Sequence, residues 1–396
     1  MSAVDVPTRV PVVVIGGGPA GLLLARLLAL GGVDAVVLER RSRAHVMSRI
    51  RAGVLERGTV ETLVEAGVGD RMDHDGTVHD GVGLAFGDRH LRIDFAGLTG
   101  RGVMVYGQTE VQKDLFAAVD AAGIPVVDCA DDVRPHDVDS DTPYVTYVHE
   151  GRQHRIDCDW VAGCDGSHGV SRTCIPPTVL RTYERLYPFG WVGVLSETPP
   201  VDAELIYAHH ERGFALCSMR HSMLSRYYVQ CSVDDRVEDW SDDRFWDELS
   251  ARLPGEVAAR LVTGPSIEKS ITPLRSFVAE PLRYGRLLLA GDAGHVVPPT
   301  GAKGLNLAVS DVRYLAAALI DAVRHRTTTG IDGYSDRALA RVWKCVRFSW
   351  WLTTLMHRFA DRADFDLRVQ EAELDYLAGS EAAQRSFAEN YVGLPF

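Results

Sequence analysis

Three glycine-framed segments and a cluster around one arginine carry the chemistry that can be read directly from this chain of 396 residues. Gly16-Gly17-Gly18-Pro19-Ala20-Gly21 is a G-x-G-x-x-G turn between two apolar runs, and Glu39 closes the second run. In that setting Gly16 permits a tight turn, Gly18 lets the backbone approach a pyrophosphate on a helix N-terminus, and Gly21 allows close helix-to-strand packing. Glu39 can then accept from a ribose hydroxyl, so a bound dinucleotide is expected, NAD or FAD. Two later segments, Gly163-Cys164-Asp165-Gly166 and Gly291-Asp292-Ala293-Gly294, each place an acid after an apolar run, the second ahead of Pro298-Pro299-Thr300-Gly301. Such an acid can bind sugar-chain hydroxyls while a helix start faces an electron-rich ring edge, which suits a ribityl chain and an isoalloxazine. Singly, each segment could be an ordinary glycine turn; in this order after the fingerprint they point to FAD.

A second constellation comes from alternation. Ser218 and Arg220 are two apart on a strand-like stretch and so share a face, and Tyr228 falls on a neighbouring strand. A hydroxyl, a guanidinium and a phenol converging on one spot suit a benzoate carboxylate, with the arginine supplying a charge-assisted bond. The residues alone leave open a plainer reading, a surface arginine and a core tyrosine.

The elements that must hold these groups follow from periodicity. Val10 to Ile15, Leu22 to Leu30 and Val33 to Leu38 read as strand, helix and strand, a βαβ unit with strands apolar throughout, as in a covered parallel sheet. From about Tyr183 to Val233 the pattern becomes short strands rich in aromatic and β-branched residues, a separate antiparallel sheet. Leu305 to Val323 and Tyr334 to Arg358 read as helices. The expected fold is α/β, with a Rossmann-like FAD-binding domain interleaved with an antiparallel-sheet substrate domain and a C-terminal helical region. Residues 1–80, 100–182 and 270–330 are assigned to the first, 81–99 and 183–269 to the second, and 331–396 to the third.

Composition narrows the class. At 46% hydrophobic and 24% charged the chain is ordinary for a folded protein, and 42 basic against 54 acidic side chains give a formal charge of -12. That balance disfavours nucleic acid and anionic membranes as partners, so an anionic ligand needs a local arginine cluster. Seven cysteines form no C-x-x-C pair and read as reduced thiols of a cytoplasmic protein; no metal site is expected. Neither a secretory start nor a run of roughly 18 apolar residues is visible, so no membrane association is expected.

The order of the three glycine segments resembles the group A flavoprotein monooxygenases, FAD-dependent aromatic hydroxylases. The likeness runs from about Val12 to Pro395. It is carried by Arg49-Ile50-Arg51-Ala52-Gly53-Val54-Leu55-Glu56, Val105-Tyr106-Gly107-Gln108-Thr109-Glu110-Val111, Tyr187-Pro188-Phe189-Gly190-Trp191, Ser225-Arg226-Tyr227-Tyr228-Val229-Gln230, Pro299-Thr300-Gly301-Ala302-Lys303-Gly304-Leu305-Asn306 and Glu389-Asn390-Tyr391-Val392-Gly393-Leu394-Pro395. The resemblance implies hydroxylation of 4-hydroxybenzoate at C3 with O2 and NADPH or NADH, in a homodimer. Hydroxylation of 3-hydroxybenzoate or 4-aminobenzoate, or a flavin redox sensor without turnover, are the alternatives.

Further site residues are implied only by that resemblance. Ser218, Met219, Arg220 and Tyr228 would contact the substrate, with Tyr207 and the Pro299 carbonyl at its hydroxyl. A proton relay would run from Tyr207 through Tyr391 to His79 near solvent, histidine being suited to exchange that proton near neutrality. Flavin contacts would come from Gly16, Gly18, Ala20, Gly21, Glu39, Arg49, Ile50, Arg51, Ala52, Gly53, Val54, Gln108, Asp165, Asp292, Leu305 and Asn306, Ala20 replacing a serine. A transient surface site for the nicotinamide would use Arg40, Arg49, Arg51, His168 and Arg275. Arg41 and His45 stand where NADPH-specific members have glutamine and tyrosine, which leaves the choice of NADH or NADPH open.

Overall fold

The computed structural model describes residues 6–48, 53–360 and 363–396. Arg9–Ile15 and Ala35–Leu38 are parallel neighbours, joined by the helix Pro19–Leu30. Both strands are almost wholly buried, as parallel strands covered on two faces must be. The helix starts three residues earlier than its leucines suggest, because Pro19 already has a helical φ and lacks an N–H that would go unpaired. It buries Leu22, Leu23, Leu24 and Leu28. Arg152–Gly163 pairs parallel with the other side of Arg9–Ile15, and Leu287–Leu289 lies beyond it. Ile15, Gly163 and Leu289 stand side by side in this register. The three glycine-framed segments therefore leave one edge of one sheet, the carboxyl edge where open α/β sheets bind ligands.

The second sheet has eight strands in the order His295–Val296, Ser266–Glu280, Arg181–Ser196, Leu224–Ser232, Ala215–His221, Ile206–His209, Gly81–Phe86 and Arg89–Asp94. It is antiparallel except where Ile206–His209 runs parallel to Gly81–Phe86. Ser266–Glu280, a strand the sequence pattern did not reveal, contains the expected boundary at 269–270. His295–Val296 follows the Asp292 turn directly and pairs with Ser266–Glu280, so one short segment ties the glycine-framed loops of the first sheet to the second sheet. The helix Gly304–Arg324 packs on Pro19–Leu30. The helices Tyr334–Met356, Asp364–Gly379 and Glu381–Val392 follow. They bring Phe348, Phe387 and Tyr391 into one buried cluster with Trp191, Tyr207 and Phe214. No helix among the described residues is long and apolar enough to cross a membrane.

Candidate active site

At the nucleotide end the glycines are required by space. Gly16 has φ +110°, and a Cβ there would lie 2.3 Å from the carbonyl oxygen of Cys164; a Cβ on Gly21 would lie 1.9 Å from that of Gly16. Gly18, the N-cap of Pro19–Leu30, instead faces open space and offers no side-chain cap, so the first-turn N–H groups are available to an anion. The Glu39 carboxylate accepts from the backbone N–H of Gly17 and of Arg41, each at 2.7 Å, and Gln112 donates to the Gly17 carbonyl at 2.8 Å. Gln112, which sequence reasoning missed, buttresses the turn from the helix Gln108–Ala121.

The two later acids behave differently. Asp165 turns one oxygen onto its own loop, accepting from the Ser171 N–H and hydroxyl at 2.9 Å each. Its other oxygen is covered and has no hydrogen-bond partner among the described residues, and burial raises its pKa. Asp292 is half-buried, with no hydrogen-bond partner for its carboxylate among the described residues. Its turn is fixed by Asp311, which accepts from the Gly291 N–H at 2.9 Å and pairs with His295 at 2.6 Å. Arg172 clamps both loops, donating to the carbonyls of Ala293 at 2.7 Å and Ser167 at 2.8 Å. The Asn306 side chain is fully engaged with Val54, Glu56, Thr59 and Ala302, which leaves backbone rather than side chain to face a ligand. Gly53 can only be glycine, because a Cβ would lie 1.8 Å from the Tyr106 carbonyl oxygen. Arg49, Ile50, Arg51 and Ala52 lie outside the described residues.

At the other end, Leu84, Tyr207, Leu216, Tyr228 and Gly193 are register partners in a row across five strands. Partners in a row point to one face, and two inter-strand steps put Tyr207 and Tyr228 about 10 Å apart. Ser218 is two residues along from Leu216 on that face, its hydroxyl donating to the Arg226 carbonyl at 2.7 Å. Arg220 donates to the Met219 carbonyl at 3.1 Å, and its covered Nε has no hydrogen-bond partner. No carboxylate pairs with this guanidinium among the described residues. Burial lowers its pKa while the nearby Tyr228 phenol favours its charge. A desolvated guanidinium without a counter-ion is an anion receptor.

The Tyr207 and Tyr391 hydroxyls meet at 2.8 Å inside the protein. Burial pushes Tyr207 well above the usual phenol value and Tyr391 up to about 12. His79 does not sit near solvent as expected: it is 1% exposed, paired within a small sheet against Val103. Neither of its ring nitrogens has a hydrogen-bond partner among the described residues, and burial lowers its pKa. No direct bond joins it to Tyr391. The exposed Pro299 begins a tight turn in which its carbonyl accepts from the Ala302 N–H at 3.0 Å.

A protein-family profile described as "FAD binding domain" matches residues 9–349. The p-hydroxybenzoate hydroxylase of Acinetobacter baylyi is 53% identical over 389 residues, 98% of this chain and 96% of that protein. The chain belongs to the group A flavoprotein hydroxylases. The hydroxylase frame also matches the crystal structure of p-nitrophenol 4-monooxygenase from Pseudomonas putida, with a TM-score of 0.81 at 21% identity, covering 98% of this chain and all of that one. A dialkyldecalin synthase of Streptomyces rugosporus is 29% identical across 93% of this chain and 77% of its own, so the frame alone does not select the reaction.

FAD is the cofactor of this hydroxylase, with a reduced nicotinamide as co-substrate, and the residues present fit the flavin. Gly18, Gly107 and Gly304 all border open space at the starts of helices that lack side-chain caps. The Gly291 turn lies between Ala20 and Ala308, at the heads of two of those helices, so the missing serine hydroxyl at Ala20 is replaced by a packing methyl. Of the nicotinamide candidates, Arg40, Arg41, His45 and His168 are exposed. Arg275 pairs with Glu184 at 3.3 Å, and both Arg275 and Arg172 lie against the Phe277 ring.

Sequence reasoning missed two features of the hydroxylase pocket. Arg226, 4% exposed, binds Glu268 at 2.9 Å and Ser270 at 3.1 Å and lies over the Tyr228 ring; strand alternation from Tyr228 would have placed it on the same face. Trp191 donates to His357 at 2.7 Å, and both stack with Phe214 beside Tyr207. No local signal marks His357.

Proposed function

We propose that this hydroxylase converts 4-hydroxybenzoate to 3,4-dihydroxybenzoate with O2 and NADH or NADPH. The observation that carries the reading is Arg220, a guanidinium without a carboxylate partner, on the same sheet as a buried Tyr207–Tyr391 hydroxyl pair. Arg220, Ser218, Met219 and Tyr228 receive the carboxylate end of the ring. Tyr207 meets the phenol at the other end, where removing its proton makes the adjacent carbon electron-rich. Trp191, Phe214 and Leu216 wall the ring and exclude water. Bound FAD supplies reducing equivalents from the nicotinamide and activates O2. Arg49, Ile50, Arg51, Ala52, Gly53, Val54, Gln108, Leu305, Asn306, Asp165 and Asp292 belong to the proposed flavin site.

The reading extends to a cytoplasmic homodimer. Its supports are seven unpaired cysteines and the exposed Trp343 and Trp350 on one helix. The test is NADH and NADPH oxidation by the yellow holoenzyme with 4-hydroxybenzoate, 3-hydroxybenzoate and 4-aminobenzoate in parallel, with products identified by chromatography. 4-Hydroxybenzoate is expected to stimulate oxidation and yield the 3,4-diol. Stimulation by one of the other two alone would move the assignment to it, and no stimulation by any would favour a sensor. A ratio of kcat/KM values settles the nicotinamide.

A further inference from the structure

We propose that Arg341 is a positioning residue that holds the C-terminal segment and thereby aims the Tyr391 hydroxyl at Tyr207. The inference rests on the relay reading given above. Tyr391 lies in the last turn of the helix Glu381–Val392, which stops at Gly393, and last turns of helices fray unless tied down. Here the tie is ionic and buried. Arg341, 5% exposed on the helix Tyr334–Met356, donates through Nη1 to the carbonyls of Leu394 at 2.6 Å and Pro395 at 3.0 Å. Its Nη2 reaches one oxygen of Glu56 at 2.7 Å. Lys303 takes the other Glu56 oxygen at 2.6 Å and the Tyr391 carbonyl at 3.0 Å. Two buried cations thus share one carboxylate and between them also donate to three carbonyls of the segment that carries Tyr391. Gly393, at φ +107°, lies so close over Glu56 that a Cβ would be 2.4 Å from the carboxylate. The Phe396 ring closes the arrangement, stacked under the Arg341 guanidinium at 4.5 Å.

The Tyr391 ring is held separately, packed against both Phe95 and Phe387 at 4.9 and 5.7 Å in a triangle of rings. Loss of Arg341 therefore leaves the ring in its aromatic cluster and loosens the backbone that orients the hydroxyl. A shift of about 1 Å is enough to break a 2.8 Å hydrogen bond.

The experiment compares holoenzymes of wild type, Arg341→Gln, Arg341→Lys and Tyr391→Phe by two measurements. Amide hydrogen exchange of the 388–396 peptide reports the tie itself. The pH titration of bound 4-hydroxybenzoate, followed by its phenol-to-phenolate absorbance, reports the relay. Arg341→Gln is expected to speed exchange in that peptide and to move the titration in the direction that Tyr391→Phe moves it, with Arg341→Lys between. It should lower kcat by about threefold or more with KM for the benzoate within about twofold. Unchanged exchange in Arg341→Gln overturns the positioning role whatever the titration shows. Faster exchange with a wild-type titration, while Tyr391→Phe shifts it, also overturns it. A Tyr391→Phe titration identical to wild type instead removes the relay reading, and the inference falls with it. If Arg341→Gln does not fold, Gly393→Ala lifts the segment from the other side; the same two shifts support the proposal, and wild-type values for both overturn it.

Discussion

Replacing Tyr207 with phenylalanine separates hydroxylation from everything that precedes it. The phenol is buried and its pKa lies well above the usual value, so it is neutral at working pH and cannot act as a standing anion. It can accept the substrate's proton only while passing its own to Tyr391, 2.8 Å away. The variant removes that acceptor and strands the Tyr391 hydroxyl, at a stability cost of about 1–3 kcal/mol for an unsatisfied buried group. Losing a general base typically lowers the rate by about 10²–10⁴, or roughly 3–5 kcal/mol of barrier. The catalytic loss is the larger and the fold survives. The Arg220 end is untouched, so 4-hydroxybenzoate should still bind and stimulate NAD(P)H oxidation. Product per NAD(P)H should collapse, with the balance appearing as hydrogen peroxide. The assay follows NAD(P)H, O2, peroxide and 3,4-dihydroxybenzoate in one reaction. Product yield equal to wild type would refute the assignment of Tyr207 to proton removal.

Three other perturbations probe the rest of the site. Arg220→Met deletes charge-assisted bonds worth about 1.5–3 kcal/mol each, so two of them predict a rise in KM for the benzoate of at least about a hundredfold in steady-state kinetics; a change under tenfold would place the carboxylate elsewhere. Gly16→Ala sets a Cβ 2.3 Å from a backbone oxygen at φ +110°, and the purified variant is expected to be colourless at the flavin absorption band; full retention of FAD would contradict the fingerprint geometry. His357 is held neutral by burial, its pKa pushed down to about 3, whereas the unfolded chain takes up a proton near pH 6.5. Its contribution is therefore complete above about pH 6.5 and fades as pH falls toward 3, at about 1.4 kcal/mol per pH unit. In guanidinium unfolding, the penalty of His357→Gln relative to wild type should shrink by about 2 kcal/mol between pH 7 and pH 5; a penalty independent of pH would mean the imidazole is not held neutral.

What could be read in advance follows from how local each signal is. The fingerprint turn, Glu39 and the Asp292 turn are short-range patterns whose glycines answer to their own backbone, and all three segments leave one sheet edge. That Ser218 and Tyr228 lie on one sheet face was legible because strand alternation fixes faces over two residues and a hairpin fixes the partner strand, whereas Arg220 falls at a register irregularity between Met219 and His221 that alternation does not foresee. Tyr207 and Tyr391 are 184 positions apart and met in the sequence only through resemblance. The burial of His79 was not legible, since a three-residue strand carries no periodicity to show which side it faces. The charged groups beneath the relay are the least legible of all: Glu56 meets Lys303 across 247 positions and Arg341 across 285, and each alone looks like an ordinary surface charge. Burying two cations around one carboxylate is costly unless their donors find acceptors, and here the carbonyls of Tyr391, Leu394 and Pro395 supply them for all but the Arg341 Nε. The C-terminal segment is then what compensates those charges, and the charges are what orient Tyr391, so neither can be altered without moving the other.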